Sequence, residues 1–218
     1  MSGRGLAARA PGSSGKEMPL VIAFYTRDTG YVAEVARLRK SVETLGLEHD
    51  IRGIPDQGSW ESATHFKATF IQWMRSYHPG RALLYVDADA AIKRVPEFLR
   101  GFNAADVALR VQDFPYRKGE WLSGTLCIGP TPAADEMIRR WIAYNDAVPA
   151  QRGRPETYEQ ANLRRAVESL GRDIRMVVLP LEYCFIFDTM RRMYPGAVPV
   201  IEHFQASRRL AKPGGRKG

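Results

Sequence analysis

Residues 81–95 read RALLYVDADAAIKRV, an apolar run, Leu83 to Val86, that leads straight into two aspartates one residue apart. In extended backbone residues i and i+2 point the same way, so Asp87 and Asp89 can present two carboxylates to one side of a strand's carboxyl end. Oxygen ligands of this kind suit a hard divalent cation such as Mg2+ or Mn2+, which usually keeps positions open for water and substrate phosphates. Acidic pairs also end strands as solvated turn residues. The continuous apolar run argues for more, because it is the pattern of a strand buried on both faces of a mostly parallel sheet. Ligands of such sheets bind outside the strands' carboxyl ends, where these aspartates lie.

Working outward from this strand, the chain alternates strand and helix. Pro19 to Tyr25 (PLVIAFY) reads as a buried strand, and Tyr31 to Leu45 as a helix closed by Gly46. His49 to Ile54 reads as a second strand and Ala63 to Tyr77 as a second helix ended by Pro79 and Gly80. This βαβαβ order predicts an α/β fold. Further on, strands are expected at Asp106 to Val111, Leu126 to Ile128 and Arg175 to Leu179, with an aromatic loop from Phe114 to Trp121. Helices are expected at Ala133 to Tyr144 and Tyr158 to Leu170, separated by a loop at residues 152–155.

The 218 residues, 44% of them hydrophobic, suffice for a full core and favour one domain, residues 18–212, between basic tails at 1–17 and 213–218 that read as disordered. No apolar run approaches the roughly 20 residues of a membrane helix, and the N-terminal stretch lacks an apolar signal core, so a soluble, cytoplasmic protein is expected. Cys127 and Cys184 sit in apolar surroundings without metal-ligand spacing, which fits buried thiols in a reducing compartment. Residues 1–17 and 207–218 carry seven of the net +8 charge, leaving a nearly neutral body. Such ends favour a polyanionic partner through counterion release, or serve only solubility.

Taken in order, YVDADA, WLSGTLCIGPT, ETYEQANL and IEHFQASRR resemble the nucleotide-sugar-dependent glycosyltransferases of GT-A fold, near the clan that includes glycogenin and bacterial lipopolysaccharide galactosyltransferases. The resemblance spans Pro19 to Lys212. It implies that Asp87 and Asp89 hold Mn2+ or Mg2+ against the diphosphate of a donor, with a UDP-sugar favoured, and that His203 is the third ligand. An imidazole in the set tilts the preference toward Mn2+. Where the family usually has glycine and lysine, this chain has Ala206 and Arg209; arginine still grips a phosphate.

The resemblance further implies a nucleotide seat at Thr26, Arg27 and Tyr31, a donor contact at Lys67, and a small-residue loop facing the sugar at Ser123, Gly124 and Thr125. Glu159 and Gln160 match an acidic-Gln pair lining the transferred sugar or the acceptor. Read without the resemblance, these are a plain turn, a solvated helix lysine and an exposed helix turn. Relatives mostly retain anomeric configuration; an inverting reaction would need a carboxylate base, for which Glu159 and Asp188 are candidates.

The acceptor is expected to be a hydroxymethylated pyrimidine in DNA, given the basic ends, with Phe114, Tyr116 and Trp121 available to wedge an extruded base. A bacterial glycan, lipid or protein is the alternative. Two rivals of other classes are a haloacid-dehalogenase-type phosphatase and a noncatalytic nucleic-acid-binding module. The first normally carries its Asp-x-Asp near the domain's start, with Thr or Val where this chain has Ala91.

Overall fold

A computed structural model describes residues 17–102, 105–113, 118–148, 151 and 154–210. Among them a six-stranded sheet has the order β2-β1-β3-β6-β5-β7, built from β1 (Leu20–Thr26), β2 (His49–Ile54), β3 (Leu83–Val86), β5 (Val107–Val111), β6 (Trp121–Ile128) and β7 (Met176–Val178). β1 pairs in parallel with β2 and β3, β5 in parallel with β7, and only β6 runs against its neighbours. The sheet is mixed α/β and mostly parallel, as the sequence pattern implies.

The period of two decides which side chain enters which layer. Leu20, Ile22, Phe24, Leu83 and Tyr85 join one core with α2 (Trp60–Tyr77), α3 (Pro132–Ala147) and α4 (Glu159–Leu170). Val21, Ala23, Leu84 and Val86 join the other, with Val35, Leu38 and Val42 of α1 (Tyr31–Thr44). All four residues of β3 are buried, the two-faced burial expected of the central strand. Gly46, at φ +63°, stops α1: its N–H bonds the Glu43 carbonyl and that of Leu47 bonds Val42, closing the helix end through a left-handed residue.

Several boundaries differ from the sequence reading. α2 starts at Trp60 rather than Ala63, because the Ser59 side chain accepts the Ser62 N–H and caps the helix early. The expected aromatic loop ends sooner, since Trp121 opens β6; Phe114 and Tyr116 lie outside the described residues. Consequently Ser123, Gly124 and Thr125 belong to a strand and not to a loop. Asp106 precedes β5, where its carboxylate accepts the Arg175 N–H and the Thr131 hydroxyl.

A second sheet, β4-β9-β8, comprises β4 (Ala90–Ile92), β8 (Phe185–Ile186) and β9 (Ile201–His203), accompanied by α5 (Phe187–Met193) and α6 (Ala206–Leu210). It was not foreseen from sequence: strands of two or three residues carry too little periodicity to register. Antiparallel pairing sets Ala90 opposite His203. That register carries the C-terminal histidine to the end of β3. No helix among the described residues is long and apolar enough to cross a membrane.

Candidate active site

β3 ends at Val86, and the chain reverses through a turn closed by the Ala90 N–H on the Asp87 carbonyl, 3.0 Å. The two carboxylates therefore converge through this turn, and not through a continuing pleat. Asp87, Asp89 and His203 bring one ligand atom each within 4.8 Å of one another. Two oxygens and an imidazole nitrogen at that spacing fit a divalent ion, and the donor set suits Mn2+ or Mg2+.

The surroundings fix each ligand. Asp87 accepts the Tyr85 hydroxyl (2.9 Å) and pairs with Lys67 Nζ (3.1 Å). Asp89 Oδ2 accepts the N–H of Ala206 at 2.7 Å, tying the acidic turn to the start of α6. Burial, then the charge of Asp87, raises the carboxyl of Asp89 above its usual range. The Thr125 hydroxyl lies 2.8 Å from His203 Nε2, behind the ring, while Nδ1 lies 4.0 Å from Asp89 Oδ1. Gly124 keeps the front clear: a Cβ there would stand 3.0 Å from His203 Cε1 and 3.1 Å from Asp87 Oδ2. Gly124→Ala is thus expected to weaken Mn2+ binding about tenfold, the scale of disturbed ligand support, as read by electron paramagnetic resonance titration.

For His203, burial disfavours the charged ring, but Cys184 and the two aspartates outweigh it and push the pKa up to about 9. A proton must then leave for an ion to bind. Mn2+ affinity should fall about tenfold per pH unit below that value. The ion-free protein behaves oppositely. A pKa raised above the ordinary 6.5 adds stability in full below pH 6.5 and loses it as pH rises to about 9, so thermal unfolding with and without Mn2+ should shift in opposite directions across this window.

Beside the cluster, Lys67 is 3% exposed and bonds the Ser123 carbonyl (3.2 Å), Ser123 Oγ (3.1 Å) and Glu159 Oε1 (3.1 Å). Burial works against its charge, yet Asp87 and Glu159 prevail and raise its pKa. Ser123 also donates to Glu159 Oε1 at 2.6 Å. Glu159 Oε2, by contrast, is buried without a partner among the described residues. Lys67 is therefore the centre of an internal network and not the solvated lysine that a helix surface would offer.

These groups floor a cleft of about 700 Å3. Of the residues singled out from sequence, Thr26, Tyr31, Lys67, Asp87, Asp89, Ser123, Gly124, Glu159, Gln160 and His203 line it. Four do not. Arg27 lies over Gly53 at the end of β2, and Thr125 is fully buried behind His203. Asp188 pairs with Arg208, and Arg209 with Glu34 at 2.7 Å; Arg208 rather than Arg209 reaches the cleft wall. Sequence reasoning missed Asp56, Trp60, Glu120, Tyr158 and Cys184, all in the lining. The Ser59 cap ahead of Trp60 was the one local signal available.

Among solved structures, the fold is shared with a glycosyltransferase involved in glycosylation of the major capsid of PBCV-1 (TM-score 0.63, 14% identity, covering 86% of this chain and 93% of that one). It is shared also with the glycosyltransferase GlyE of Streptococcus pneumoniae TIGR4 (TM-score 0.57, 14% identity, 86% of this chain), of which this chain spans only 55%. A third is the galactosyltransferase LgtC in complex with donor and acceptor sugar analogs (TM-score 0.51, 12% identity, 85% and 87% coverage). No family model and no curated protein matches the sequence. The fold is that of GT-A glycosyltransferases.

Proposed function

We propose that the protein is a metal-dependent glycosyltransferase that moves a sugar from a nucleoside-diphosphate sugar, a UDP-sugar by preference, to an acceptor hydroxyl. The observation that carries this reading is the Asp87, Asp89 and His203 cluster on the floor of a large cleft, at the carboxyl end of the central strand of this fold. Asp87, Asp89 and His203 would hold Mn2+ or Mg2+. Once bound, such an ion neutralises the charge that develops on a departing diphosphate.

The chain's own groups then have separable tasks. Thr26, at the end of β1, and Tyr31, the first residue of α1, line the part of the cleft where a nucleoside is expected, and Tyr31 offers a ring for a base to stack on. Burial, reinforced by Asp89 and Asp87, raises the Tyr31 phenol's pKa, so it stays a neutral hydrogen-bonding group. Lys67 orients Asp87 and Glu159 together. The unpartnered Glu159 Oε2 supports a bond accepted from a hydroxyl of the bound sugar, since a buried carboxylate oxygen left empty is costly. Asp188, outside the lining and paired with Arg208, is given no proton-abstracting role in this reading.

The test is hydrolysis of a UDP-sugar without acceptor. Mn2+-stimulated release of UDP is expected, and mass spectrometry over a panel of donors identifies the sugar and nucleotide. Absence of both UDP binding and UDP release from every donor would reject the reading, and with it the preference over a phosphatase or a noncatalytic module.

A further inference from the structure

We propose that the acceptor is an uncharged carbohydrate whose ring stacks on Trp60 at the mouth of the cleft, an inference that rests on the glycosyltransferase reading above. Trp60, the first residue of α2, lines the cleft with 43% of its surface exposed. Among the described residues, only Trp60 and Leu210 of the exposed large apolar side chains lie in that lining. The indole is held in place. Its ring meets Tyr158 edge to face, with centroids 6.1 Å apart and planes at 89°. A rigid, half-exposed aromatic ring offers contact area at little entropic cost, which suits the apolar C–H face of a sugar ring.

The neighbours supply what the sugar's hydroxyls need. Tyr158 and Gln160 flank Glu159, and Glu120 shares the lining with Trp60. Ionised carboxylates accept hydrogen bonds without donating, so they bind polyols well.

Charge decides against a polyanion. Among the described residues the lining holds Asp56, Asp87, Asp89 and Glu159, together with Glu120, against Lys67 and Arg208. Both cations are already engaged, Lys67 with Asp87 and Glu159, and Arg208 with Asp188. A divalent ion and a donor diphosphate roughly cancel, so carboxylates still outnumber cations among the described residues of the lining. Within a screening length of about 8 to 10 Å that surplus repels phosphate groups and is indifferent to a neutral saccharide. Nucleic acid, expected from the basic ends of the sequence, meets an excess of carboxylates among the described residues of the lining.

The full chain with Mn2+ and its UDP-sugar would be offered methyl glycosides and lactose in one arm, and duplex DNA containing 5-hydroxymethylcytosine in the other. Products are read by mass spectrometry. Transfer to a neutral saccharide and none to DNA is expected. Trp60→Ala should raise the saccharide KM about tenfold with the calorimetric Kd for UDP within twofold of the unsubstituted protein, and Trp60→Phe should recover most of the loss. The UDP titration doubles as the control for folding. Transfer to DNA, or transfer to no neutral saccharide while UDP is still released, overturns the inference and leaves the enzyme class intact. An equal loss of UDP affinity in Trp60→Ala would assign the ring to the nucleotide and overturn it as well. Failure of all UDP binding would instead remove the donor reading on which it stands.

Discussion

Asp89→Asn is expected to lower metal-dependent turnover by at least about a thousandfold while the fold survives unchanged or slightly more stable. The first half follows from the cluster: a charge-neutral side chain forfeits several kcal/mol of metal-borne stabilisation of the leaving diphosphate, and each 1.4 kcal/mol is about tenfold in rate. The second half follows from the sign of the Asp89 shift. Burial, then Asp87, raises its carboxyl above the unfolded value. A group shifted that way contributes stability only at pH below its unfolded pKa and loses it as pH rises, so at neutral pH the ionised side chain strains the ion-free protein. Asparagine removes the charge and keeps an oxygen for the Ala206 N–H, now 2.7 Å from Oδ2. The measurements are turnover, circular dichroism and thermal unfolding with and without Mn2+. Mn2+ should raise the melting temperature of the unsubstituted protein by mass action and leave the variant's unmoved. Full activity in Asp89→Asn would sink the metal assignment.

The second large effect is on stability. Lys67→Met fills the same volume with apolar atoms but strands Glu159 and Ser123, which share the Lys67 ammonium inside the core, and takes a partner from Asp87. Breaking one side of a buried ion pair typically costs about 3–5 kcal/mol, which for a chain of this length lowers the melting temperature by roughly 10 °C. The loss should be partly reversible. Glu159 is 5% exposed, whereas the Asp87 side chain is 36% exposed and can take water in place of the lysine. Lys67→Met combined with Glu159→Gln removes the stranded interior charge and is expected to regain about half of the lost stability, a coupling that a double-mutant cycle measures. A single substitution costing under about 1 kcal/mol would show that the network is solvated after all.

Both effects meet at a point where sequence and structure contributed differently. By itself the sequence determined the alternation of strand and helix, the two-faced burial of Leu83 to Val86 and the placing of an acidic pair just past that strand. These are local facts, set by side-chain period, turn residues and short-range backbone sterics. The Schellman end at Gly46 is of the same kind.

Tertiary structure alone decided the rest. Only the resemblance of IEHFQASRR, and no local pattern, pointed from residue 203 to the acidic pair; the pairing of β4 with β9, too short to leave a periodic trace, makes them meet. Lys67 reads as an ordinary polar position of an amphipathic helix until β6 and α4 bring Ser123 and Glu159 to it from 56 and 92 residues away. Arg208 and Arg209 are interchangeable as sequence, yet one step around α6 turns the first to the cleft and the second to Glu34. Even the sign of charge that a substrate meets was hidden, because the basic ends dominate the composition while, among the described residues, carboxylates from four separate segments gather around one cavity. Coulomb forces and ligation depend on distance in space, and that distance is fixed by how the sheets pack and not by separation along the chain.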